Sequence, residues 1–178
     1  AQTAKQVVLQ RLREAERELV LSEYTNRVGE ILAGRIERVE PSQVVVSLGR
    51  AEALMPREEE VPSERYRPNT TLQFYLSEVA ESSRGPELIL SRARKNLVRR
   101  LFEREVPEVF KGVVEIKAIA REPGSRTKVA VQARQEGVDP VGSCVGLRGF
   151  RIQNVVNELQ GEKIDVLPWS DTTSEFLA

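Results

Sequence analysis

Eight consecutive residues, Gly142-Ser143-Cys144-Val145-Gly146-Leu147-Arg148-Gly149, have the types and spacing to hold an anion. Glycine reaches backbone angles closed to other residues and, lacking a side chain, lets a ligand come close to the main chain. A helix is predicted to start directly after the loop, so its free N–H groups and the positive end of its dipole face the loop. The amides around Leu147 and Arg148 and the Arg148 guanidinium would hold a phosphate of a nucleic acid, with Arg151 close behind. Val145 and Ile152 would line an apolar groove for bases. The spacing is G-x-x-x-G-x-x-G, not the G-x-G-x-x-G of a dinucleotide site, and no G-K-[S/T] of a nucleotide-triphosphate loop follows. The rival reading is a tight turn between two helices, with glycines there only for packing.

Other cations invite the same question. Arg121, Arg126 and Lys128 flank a predicted hairpin turn, where they would contact phosphate or simply solubilise the loop. The run Arg92, Arg94, Lys95, Arg99, Arg100 and Arg104 reads as a solvated helix face, or as a phosphate-tracking or protein-binding patch. Trp169 would cover a domain junction or stack on a base. The chain has 21 Arg among its 27 basic residues, and Arg suits bidentate phosphate recognition. Those 27 meet 27 acidic residues, so no global basic field exists. The balance is local too, at +1, −1 and 0 over residues 1–27, 28–95 and 96–178.

Much chemistry is excluded. With no histidine there is no Ser-His-Asp or Cys-His catalysis and no histidine-based metal site. The single cysteine, Cys144, forms no intrachain disulfide, suits a reducing cytoplasm, and is expected to pack rather than react. No catalytic residues, metal ligands, cofactor or small-molecule substrate are indicated. No apolar run is long enough to span a membrane, and the N-terminus does not read as a secretory signal.

The elements that must position these residues change character along the chain. From Ala4 to about Arg27 the periodicity predicts one long helix with Val8, Leu12, Ala15 and Leu19 as its stripe. From Val28 to Lys95 short strands are predicted at Glu30–Glu40, Gln43–Leu48, Ala51–Leu54, Thr71–Glu81 and Glu87–Ser91. Leu72, Phe74 and Leu76 alternate with Gln73, Tyr75 and Ser77. Val44 and Val46 alternate with Val45 and Ser47. Five such strands in this length suggest a small closed barrel of OB type. From Asn96 the order becomes α-β-β-α-α-β. A helix contains Leu97, Leu101 and Phe102, with Pro107 near its end. Strands at Val113–Arg121 and Thr127–Arg134 are joined by a type II turn at Glu122-Pro123-Gly124-Ser125. Pro140 begins a short helix. A further helix carries Ile152, Val155, Val156 and Leu159 and is capped by Gly161, before a last strand at Lys163–Leu167. A GxxG loop in this order is the device with which KH domains clamp a nucleic-acid backbone.

Four stretches carry a closer resemblance. They are REAERELV (Arg13–Val20), LGRAEALMPREE (Leu48–Glu59), SRGPELILSRARKNLVRRLFEREVPEVFKGVVEIKAIAREPGSRTKVAV (Ser83–Val131) and VDPVGSCVGLRGFRIQNVVNELQGEKIDVLPWS (Val138–Ser170). Together they cover most of the chain after residue 13, and it resembles the NusA family of bacterial transcription elongation and antitermination factors. The resemblance implies a multidomain chain. Residues 1–27 would be a connecting helix at the end of an N-terminal domain. Residues 28–95 would be an S1-type OB barrel, 96–170 a type II KH domain, and 171–178 the start of a following domain. It implies contacts with single-stranded nascent RNA, with RNA polymerase and with other elongation or antitermination factors. It also implies that the Ile164 backbone reads a base edge. The central barrel strands, VVVSLGRAEALMP, lack the aromatics and histidine of S1 domains that bind RNA well. A protein scaffold docking on RNA polymerase, with marginal RNA binding, is therefore the second expectation.

Overall fold

Thr3 starts the first helix. Its hydroxyl accepts from the Gln6 amide at 3.2 Å while its own amide donates to Gln6 Oε1 at 3.1 Å, the reciprocal pair that satisfies two orphan donors at once. The helix, α1, runs Ala4–Thr25. In the computed structural model, residues 3–82 and 85–169 are described. They form two compact units. One holds residues up to Glu59 with Tyr66–Ser91; the other holds Glu60–Arg65 with the residues from Arg92 onward. The bounds thus fall a few residues before the expected Lys95, α1 groups with the barrel, and a six-residue insert belongs to the second unit. Residues 171–178, expected to open a further domain, lie outside the described residues.

In the first unit, β1 (Ile31–Val39), β2 (Gln43–Ser47), β3 (Glu52–Pro56), β4 (Thr71–Ser82) and β5 (Gly85–Ser91) close into a barrel in the order β1-β2-β3-β5-β4. All neighbours are antiparallel except β3 with β5. Leu72, Phe74 and Leu76 point inward with Ile36, Val44, Val46 and Met55, as their alternation predicts. Gly34 leaves room for this core, since a Cβ there would lie 2.4 Å from Val46 Cγ1. Val45, on the opposite face of β2, is nevertheless fully buried and lies outside that cluster. The stripe of α1 differs from expectation. Val8, Leu12 and Leu19 are exposed, and the helix packs on the barrel core through Val20, Leu21 and Tyr24. Phe74 is core and Tyr75 is half-buried, so β4 presents no fully exposed aromatic.

In the second unit, α2 (Lys95–Glu105) buries Leu97, Val98, Leu101 and Phe102. Pro107 opens a separate short helix, α3 (Pro107–Phe110), because Pro is pre-organised for a first helical position and cannot continue α2. β6 (Val114–Glu122) and β7 (Arg126–Ala133) form a hairpin, and β8 (Lys163–Pro168) adds parallel to β7. The hairpin turn is as predicted, with Gly124 at φ +79° and the Ser125 amide donating to Glu122 O at 3.0 Å. Between β7 and β8 come α4 (Pro140–Val145) and α5 (Phe150–Glu158). This is the α-β-β-α-α-β order with one extra short helix. The cap of α5 is shifted by one residue. Gln160, at φ +56°, takes the left-handed position, and Gly161 follows as the donor to Val156 O at 3.0 Å.

Two buried ion clusters fix this unit. Arg92 is fully buried. Its Nε donates to Glu64 Oε1 of the insert at 2.9 Å, and its Nη1 to Glu158 Oε1 at 3.1 Å. Glu162, also buried, accepts from Arg121 Nη2 at 3.0 Å, the Gly124 amide at 2.7 Å and Thr127 Oγ1 at 2.6 Å. Each buried charge is thereby paired and hydrogen-bonded, the condition under which burial is tolerated. No described helix is long and apolar enough to cross a membrane.

Candidate nucleic-acid interface

The glycine loop is a backbone reversal between α4 and α5. Gly146 ends α4 at φ +78°, Leu147–Gly149 make one tight turn, Arg148 sits at φ +56° and Gly149 at φ +75°. Three of the four residues Gly146–Gly149 are thus left-handed, a conformation that L side chains rarely adopt. The Gly146 amide donates to Gly142 O, the Gly149 amide to Gly146 O and the Phe150 amide to Leu147 O. The amides of Leu147 and Arg148 donate to no acceptor among the described residues. The first turn of α5 contains no acid, and Gly149 offers no side-chain cap. No acidic side chain of that first turn offsets the positive potential at this end. Arg148 is exposed and forms no ion pair among the described residues. A groove of about 840 Å³ runs along the loop from Gly142 to Gln153.

The two glycines have different reasons. A Cβ on Gly146 would lie 2.7 Å from Arg151 Cγ, so that position is filled by the protein. A Cβ on Gly149 would meet nothing nearer than Ile152 Cγ2 at 3.9 Å, so that face is open to a ligand. Arg151, expected among the phosphate contacts, is held inward. Its Nη1 donates to Glu108 Oε2 and Ser143 O, both at 2.8 Å, so it braces the loop from below. Val145 and Ile152 are half-buried beside the loop. Cys144 is buried within α4, and desolvation, with Glu108 adding to it, pushes its thiol up to about 11, in keeping with packing.

At β8 the amides of Lys163 and Trp169 donate to Ser125 O and Val131 O on the β7 side. Strand alternation then turns the backbone groups of Ile164 and Val166 to the other edge, which is unpaired among the described residues. The Ile164 side chain itself is buried.

The hairpin cations fare unequally. Arg121 is buried against Glu162, its Nη1 also donating to Arg94 O at 2.7 Å. It is therefore no surface contact for phosphate, because its guanidinium is already occupied by a carboxylate and a carbonyl. Arg126 is exposed, 3.4 Å from Asp165, and Lys128 is exposed. Most of the basic run is likewise occupied: Arg92 by Glu64 and Glu158, Arg99 by Ile116 O, Arg100 by Glu103 and Arg104 by Glu105. Trp169 carries Lys117 over its ring at 5.9 Å. No cluster of metal-ligating residues occurs among the described residues. One exposed aromatic on the groove, Phe150, was not singled out in the sequence, where nothing distinguishes it from a core position of α5.

Residues 92–169 match the model of the NusA-like first KH domain. The transcription termination/antitermination protein NusA of Bacillus subtilis is 48% identical over 178 residues, covering 100% of this chain and 48% of that protein. Its counterpart in Halalkalibacterium halodurans is 47% identical over 178 residues, 100% of this chain and 47% of that one. The Thermus thermophilus protein is 46% identical over 177 residues, 99% of this chain and 46% of that one. A solved multidomain protein with nucleic acid binding domains from Streptococcus pneumoniae overlays only weakly. Its TM-score is 0.32 and its identity 12%, over 74% of this chain and 41% of that one. The chain thus spans about half the length of the curated relatives it matches. With a closed barrel, a matching KH unit and identity near one residue in two along its whole length, the chain belongs to the NusA family.

Proposed function

We propose that this chain is a non-enzymatic, single-stranded RNA-binding module of a cytoplasmic transcription factor. It contacts nascent RNA and works with RNA polymerase and other elongation or antitermination factors in pausing, termination and antitermination. The observation that carries this reading is the loop tip, where the Leu147 and Arg148 amides and the Arg148 guanidinium have no partner among the described residues. An RNA phosphate at Gly149 would complete all three. Val145 and Ile152 would support the bases, and the free edge at Ile164 offers a backbone donor and acceptor to a base edge. Phosphate contacts position the strand and base contacts specify it. Arg126 and Lys128 add weaker phosphate contacts at the hairpin.

If about three phosphates are engaged, log affinity should fall with log salt at a slope near −2, from about −0.7 per contact on single strands. The test is fluorescence anisotropy of a short random-sequence RNA titrated with the chain and with Gly149→Asp. Loss of binding in a variant with an unchanged melting temperature supports the reading, and wild-type affinity in that variant refutes it. A scaffold role on RNA polymerase would instead show as polymerase capture without RNA, indifferent to Gly149.

A further inference from the structure

Phe150 is the first residue of α5, is 67% exposed and lines the loop groove. A side chain on a helix leans toward the helix N-terminus, so a first-turn residue overhangs the loop before it. Here that loop holds the two unpaired amides and Arg148. Leu147, at 86% exposed, borders the same groove. Buried aromatics fill this protein's cores at Phe74 and Phe102, whereas this ring is held in solvent next to the donors for a phosphate. A nucleotide strand held there by its backbone would carry its bases along the groove, within reach of an aromatic face.

Resting on the RNA-binding reading above, we infer that Phe150 is a stacking platform for one nucleobase of the RNA strand held at the glycine loop. The occupant is RNA rather than an apolar protein surface, because the ring shares its groove with Arg148 and free amides, which an apolar partner would leave unpaired. Base–aromatic stacking is tolerant of base identity. Phe150 thus adds affinity in a way that does not depend on ionic strength, beside phosphate contacts that do.

The test uses the whole chain and a uridine oligomer of about ten nucleotides in the anisotropy assay. Phe150→Ala should weaken binding about five-fold or more, the loss expected for one stacked base, with the salt slope unchanged. Phe150→Trp should restore affinity and its fluorescence should be quenched by RNA, whereas Phe150→Leu should not restore it. On an oligomer lacking bases at successive positions, wild type and Phe150→Ala should converge once the stacked base is removed. Wild-type affinity in Phe150→Ala, alongside loss in Gly149→Asp, overturns the platform and leaves the RNA-binding reading standing. No binding by the wild-type chain overturns both. Full rescue by Leu, or loss of a protein contact alone, makes the ring an apolar protein-docking residue and also overturns the platform.

Discussion

The second unit contains two glycine turns flanked by arginine, and they have opposite fates. At the hairpin, Glu162 accepts from Arg121, the Gly124 amide and Thr127, so an internal carboxylate occupies the place an anion would take. The space next to Gly124 is filled as well, since a Cβ there would lie 2.2 Å from Ser63 Oγ. At Gly146–Gly149 no acid plays that part among the described residues, and there the amides of Leu147 and Arg148 and the Arg148 side chain have no partner. Similar residue types thus give a closed structural joint in one place and, in the other, an open loop that is the proposed anion site. The count of arginines does not distinguish them; the location of the carboxylates does. A net charge of zero is therefore compatible with the proposed binding of RNA.

Removing the internal carboxylate breaks the comparison most severely. Glu162→Ala leaves Arg121 buried without its partner and should cost about 3–5 kcal/mol of stability, read by urea denaturation of the second unit. At the open loop, Gly146→Ala should cost about 1–3 kcal/mol through left-handed strain and the Arg151 contact. Gly149→Asn should cost less, because Asn tolerates that conformation and nothing crowds it. Arg148→Ala should leave stability within about 0.5 kcal/mol while flattening the salt slope for RNA by about 0.7. Arg121 replaced by Lys should leave that slope unchanged. The smallest effect is at Cys144. Burial pushes its thiol up to about 11, so at pH 8 it is protonated. Alkylation at pH 8 should be negligible while the chain is folded and prompt once it is unfolded, as mass spectrometry would record.

The sequence carried local features well. Alternation of Leu72, Phe74 and Leu76 marked the inner face of β4, Pro123-Gly124 marked a turn, and GxxG between two helices marked the loop. What it could not carry depends on residues far apart in the chain. Arg121 and Arg148 look alike until Glu162, forty-one residues after Arg121, is seen to occupy the first. Gly146 and Gly149 look equivalent until the Arg151 stem is found under one of them. A double replacement of both glycines therefore mixes a packing defect with loss of ligand access, and Gly149 alone is the cleaner probe. The helix α1 was legible, but its predicted stripe is exposed and the residues that meet the barrel were not legible. Val20, Leu21 and Tyr24 do so because the helix docks by its C-terminal end.

The central claim is that the two unpaired loop amides receive an RNA phosphate. Amide-resolved NMR of the chain titrated with a short single-stranded RNA tests it directly. The Leu147 and Arg148 amide signals should move together and saturably, while the Gly124 amide, already bonded to Glu162, stays in place. Stationary Leu147 and Arg148 signals under RNA concentrations that shift other residues would contradict it.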